Sequence, residues 1–98
     1  MEYANHFLVT VGVIDGSVGL SGLEDFVEDN VTSVFDVRVE HVALGDGRHR
    51  DNHYVYTLEF IVEPQLELEE VRGFMKFLAE EWNIDNPEEA FIVLSVEY

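Results

Sequence analysis

The residues with the widest chemical reach lie between positions 41 and 53, where His41, Asp46, His49, Asp51 and His53 share one polar stretch. Imidazole nitrogens and carboxylate oxygens are ligands for zinc and related divalent ions. His49 and His53 stand four residues apart, with Asp51 and Asp46 as possible supplements, and these four form the candidate metal site. Four-residue spacing gathers two imidazoles on one side of a helix, but here the run from Gly45 to Asn52 reads as a loop entering a strand. The HExxH pattern is absent, and a solvated loop accounts for the same residues.

Other chemistries find less support. Gly12, Gly16, Gly19 and Gly22 surround a strand-to-helix transition, but they match neither the dinucleotide fingerprint nor the phosphate loop with its terminal lysine. Asp15, Glu24 and Asp25 beside them would repel an anion. Ser17, Ser21, Ser33 and Ser95 sit in no nucleophile elbow. Carboxylates could serve as acid and base, but among twenty-one of them close pairs arise by chance. The chain has no cysteine, which excludes disulfides, thiolate metal sites and a cysteine nucleophile. No catalytic residue and no cofactor is expected.

Charge is the strongest compositional signal. Five basic residues (Arg38, Arg48, Arg50, Arg72 and Lys76) face twenty-one acidic ones, a formal charge of −16. Such a surface repels phosphate backbones, so direct nucleic-acid binding is not expected, while basic protein surfaces attract it. A salty medium would also favour acidic surfaces, because it screens their self-repulsion. No apolar run approaches the roughly 20 residues that span a bilayer, and the N-terminus has no basic region. A cytoplasmic protein with no membrane partner is expected.

These residues must be carried by a small set of elements. Residues 7–14 alternate as a strand, with Val9, Val11 and Val13 on one face. Turn residues 15–19 follow, and then Ser21 and Glu24 form a capping-box pattern for a short helix starting near Gly22. Residues 34–44 are β-rich, with a change of parity that calls for a bulge around Glu40 and His41. A further strand covers residues 53–62 and is expected to end at Pro64, which has no N–H for a ladder. Leu68, Val71, Phe74, Met75, Leu78 and Trp82 make an apolar stripe for a helix over about 66–82. A turn at 83–89 and a strand at 90–98 complete the chain.

The order β-α-β-β-α-β is that of the ferredoxin-like α+β sandwich: a four-stranded antiparallel sheet with two helices on one face. Residues 1–98 are read as a single acidic domain. In that arrangement the second sheet face lies bare. It is expected to carry Leu8, Thr10, Ile14, Val55, Thr57, Ile61, Ile92, Leu94, Val96 and Tyr98, and its apolar content predicts a homodimer, with Phe77 as a supplement.

The helices carry the acidic surface: Glu24, Asp25, Glu28 and Asp29 with the first, Glu67, Glu69, Glu70, Glu80 and Glu81 with the second. Rows of carboxylates can imitate a phosphate backbone and enter a basic groove. The expected function is therefore a small acidic protein-interaction module, an inhibitor or nucleic-acid mimic that engages a basic nucleic-acid-binding protein. The alternative is a regulatory domain that binds a small molecule or a divalent metal.

Overall fold

The computed structural model describes residues 2–13, 20–45, 47–50 and 53–98. Strand β1 spans Tyr3–Val13, helix α1 Leu23–Phe35 and β2 Arg38–Leu44. The short β3 covers Arg48–Arg50 and the long β4 His53–Glu67. Helix α2 spans Leu68–Asp85, a single 3-10 turn covers Pro87–Glu89, and β5 closes the chain at Phe91–Glu97. Ile14 and the predicted turn at 15–19 lie outside the described residues, as do Asp46 and Asp51.

The result is a mixed α+β fold with two helices and an antiparallel sheet. Along the sheet the order is β2-β4-β1-β5, with β3 also paired to β4. The sheet therefore has five strands where the sequence pattern predicts four. The reason is length: β4 has fifteen residues and β2 only seven. After Leu44 the chain leaves the ladder, held by a hydrogen bond from the Gly45 N–H to the Thr57 carbonyl at 2.9 Å. It then returns as β3 along the stretch of β4 that β2 leaves free.

Alternation sets the core. Phe7, Val9, Val11 and Val13 of β1 meet Phe60, Leu58 and Val62 of β4, with the Phe7 and Phe60 rings stacked at 5.4 Å. Leu23, Val27 and Val31 of α1 and the predicted stripe of α2 join the same buried cluster, so both helices cover one sheet face. Phe26 packs on Trp82 and Phe35 on Phe74. As α1 advances it meets α2 in reverse, so the two helices run antiparallel.

Several local expectations are overturned by tertiary contacts. Ser21 does not cap α1. The N-cap is Gly22 at φ 84°, a left-handed conformation that glycine takes without steric penalty, and the Ser21 N–H instead donates to Glu89 Oε1 at 3.1 Å. Helix α1 also continues through Val34 and Phe35, because the Phe35 ring packs on Phe74, and it ends at Asp36 with φ 54°. Pro64 does not end β4. The β1–β4 register passes from Ala4↔Leu66 to His6↔Ile61, and β2 pairs no further than Glu63, so no ladder partner needs an N–H at Pro64. The Glu63–Pro64 peptide is cis.

The bulge expected near Glu40 and His41 is present, since Val39 pairs with Val62 and His41 with Ile61. A second bulge in β5 has no counterpart in the sequence reading. Thr10 pairs with Ser95 but Val11 with Val93, which leaves Leu94 as the extra residue. The parity of β5 flips there. Val96 consequently turns into the core at 5% exposure and does not join the open face.

Candidate functional site

Two surfaces carry the residues singled out by the sequence. On the helix side, Glu24, Asp25, Glu28 and Asp29 of α1 are exposed, as are Glu69, Glu70, Glu80 and Glu81 of α2. The cause is helical periodicity: Leu23, Val27 and Val31 face the sheet, and the polar residues between them face out. Glu67 differs from this set, since it is half-buried at the end of β4 and occupies the N-cap of α2. Among the described residues, only Glu69 of this set makes an ion pair, with Arg72 one turn away. Carboxylates in the first turn of each helix (Glu24 and Asp25, Glu69 and Glu70) are stabilised by the positive end of the helix dipole. A recess of about 240 Å³ opens beside them, lined by Gly22, Glu24, Asp25, Glu28 and Val42. Three carboxylates around so small a hollow suit a cationic side chain.

The open face of the sheet divides in two. On the β1–β5 side, Leu8 and Thr10 are half-buried, while Ile92 and Leu94 are 49% and 47% exposed and fold over Gly12. On the β4–β2 side, Val55, Thr57 and Ile61 are interspersed with charged groups. His6 Nε2 donates to Glu59 Oε2 at 2.7 Å, and His41 Nε2 donates to Glu59 Oε1 at 3.1 Å. A carboxylate only accepts, so both imidazoles carry their proton on Nε2. The His6 hydrogen bond is the main cause holding the Glu59 carboxyl below its usual range, with His41 adding to it. Beside them Arg38 bridges Glu40 at 2.7 Å and Glu63 at 2.9 Å. The hydrogen bond to Glu40 is first among the causes raising the Arg38 guanidinium, and the same contact lowers the Glu40 carboxyl.

This three-strand bridge is absent from the sequence reading. Its signal is present in hindsight: His6, His41 and Glu59 are polar residues on the outward parity of otherwise apolar strands. What joins them is register, which places both histidines level with Ile61, two residues from Glu59 on the same sheet face.

The remaining predicted residues disperse. Phe77 is 60% exposed on α2, on the layer opposite the open sheet face, and cannot supplement a patch there. Tyr98 lies beyond the end of β5 and is exposed; a hydrogen bond with Glu2 is the main cause raising its phenol above the ordinary range. Of the candidate metal ligands, Asp46, Asp51 and the side chain of His53 are outside the described residues. The His49 ring stands edge-on to Tyr54 at 5.2 Å. Among the described residues, no three histidine or acidic side chains form a group able to hold a metal ion. Among those residues, too, no helix is long and apolar enough to cross a membrane.

The chain matches no family model, no curated protein and no solved structure.

Proposed function

We propose that this chain is an acidic interaction module whose helix layer occupies the basic, nucleic-acid-binding surface of a partner protein. The observation that carries this reading is the run of exposed carboxylates along two antiparallel helices over one sheet face, of which only Glu69 has an ion-pair partner among the described residues. Opposite charge accelerates encounter and excludes like-charged competitors. The recess between α1 and β2 offers a seat for one lysine or arginine of such a partner. A ferredoxin-like framework is part of the same proposal, supported by the order in which the four longer strands lie, with β3 resuming the β2 edge.

The test is capture of partners from native lysate by the chain and by a variant in which Glu24, Asp25, Glu28, Asp29, Glu80 and Glu81 become amides. The expected result is a nucleic-acid-binding protein that duplex DNA displaces and the amide variant fails to hold. Capture that is indifferent to the amides, or a partner that DNA does not displace, overturns the proposal.

Self-association through the open sheet face is a second reading, favoured by the half-exposed Ile92 and Leu94. Sedimentation equilibrium decides it: the expected homodimer dissociates in a Leu94→Glu variant, and a monomer across the accessible concentrations defeats it.

A further inference from the structure

Strand β5 is an edge. Among the described residues it pairs with β1 on one side only, and its other side faces α2 across a groove of about 530 Å³. Consecutive residues Phe91 to Val96 line this groove, so the strand's backbone as well as its side chains forms the wall. From α2 come Arg72, Lys76, Ala79 and Asn83, spaced at four, three and four residues along one helical stripe.

A side-chain contact ties one end of the helix to the strand. Asn83 takes both backbone groups of Phe91, donating from Nδ2 to the carbonyl and accepting the N–H at Oδ1, each at 2.9 Å. The chain reverses between α2 and β5, so Arg72 and Lys76, which precede Asn83 on the helix, line the groove beside the residues of β5 that follow Phe91. Lys76 lies one turn from Arg72 on the same wall of the groove.

The Asn83 contact is what a neighbouring strand would make. A strand's backbone groups alternate in direction, so once Phe91 presents its N–H and carbonyl to the groove, Val93 presents the next pair. Charge then selects the occupant. In a chain of net charge −16, the groove holds two of five basic residues. Arg72 pairs with Glu69 but retains other donors on its guanidinium, and Lys76 makes no ion pair among the described residues. Glu80 also lines the groove, one turn beyond Lys76, so the cationic part is the Arg72–Lys76 turn.

We propose that this groove takes an extended acidic peptide of a partner protein as an added strand on β5, its carboxylates meeting Lys76 and Arg72. Backbone pairing gives such a complex its affinity, and the alternate side chains give it selectivity. This site has the opposite polarity to the helix layer, which it borders at Glu80.

The probe is an N-terminally labelled octapeptide alternating glutamate and threonine, titrated into the full chain by fluorescence anisotropy and by amide NMR. Controls are the lysine–threonine peptide and glutamate peptides N-methylated on every second amide, in either register. Saturable binding is expected, with amide shifts concentrated on Phe91–Glu97 and the facing turn of α2. The lysine peptide should bind at least about tenfold more weakly, and one methylated register should lose binding while the other keeps it. Arg72→Gln with Lys76→Gln, both at exposed positions, should weaken binding roughly five- to tenfold at unchanged Tm. Equal binding of the lysine peptide, survival of both methylated registers or shifts centred on β2 and β3 overturns the proposal. So does failure to saturate at millimolar peptide, or occupation of β5 by a second copy of the chain in the absence of peptide.

Discussion

Asn83 substitutes for a strand at the edge of the sheet: its side-chain amide saturates both the N–H and the carbonyl of Phe91, at 2.9 Å each. Phe91 is 1% exposed and its ring lies 6.4 Å from Trp82, whose indole N–H donates to the Glu89 carbonyl at 3.0 Å. The turn between α2 and β5 is thus tied at both ends by side chains of the last turns of the helix. Asn83→Ala removes two bonds and strands two part-buried backbone groups. The expected loss is about 1–3 kcal/mol, seen as a fall in Tm of roughly 4–8 °C per kcal/mol for a domain of this size.

Glu59 makes stability depend on acid. Its folded-state pKa is lowered, first by the His6 hydrogen bond, so its contribution is present above the unfolded value and lost as pH falls through the folded one. An unfolded glutamate titrates near 4.3. Denaturant midpoints for the chain and for Glu59→Gln are therefore expected to differ at pH 6 and to converge as pH falls past the unfolded value and through the lowered folded one. A gap that stays constant across that range would mean that the bridge does not titrate as the geometry requires.

The bulge at Leu94 separates two neighbours on β5. Val96 is 5% exposed and Leu94 47%, although strict alternation would put both on one face. Val96→Ala opens a cavity and is expected to cost about 1.5–3 kcal/mol, whereas Leu94→Ala should stay within about 1 kcal/mol. Equal losses in urea unfolding would contradict the bulge.

Gly47 and Gly45 flank the same break in the sheet edge but differ in surroundings. A Cβ on Gly47 would lie 2.6 Å from the Tyr56 ring, while one on Gly45 would meet only the Thr57 carbonyl oxygen, at 3.5 Å. Tyr56 is half-buried against the core, so it yields only by losing packing. Gly47→Ala should destabilise by about 1–3 kcal/mol, and Gly45→Ala by distinctly less in the same thermal melts.

Much of the fold is legible locally. The apolar stripe of α2 is buried along its whole predicted length, and the inward set of β1 enters the core as alternation requires. The parity change in β2 even marks its bulge. The capping-box pattern at Ser21 misleads because a distant carboxylate, Glu89, takes the Ser21 N–H. Pro64 misleads for a related reason: its missing donor matters only where a partner strand needs one, and neither β1 nor β2 does at that position.

The candidate sites follow the same division. Helical spacing alone turns Glu24, Asp25, Glu28 and Asp29, with Glu69, Glu70, Glu80 and Glu81, outward, and composition alone makes the chain acidic. Those properties depend on neighbours three or four residues away, and the sequence determined them by itself. The bridge from His6 and His41 to Glu59, the inward turn of Val96 and the alignment of Lys76 with the free edge of β5 were decided only by the tertiary structure. Each depends on strand register or on the helix–strand seating, and those are chosen by hydrogen bonds and packing between segments far apart in the chain.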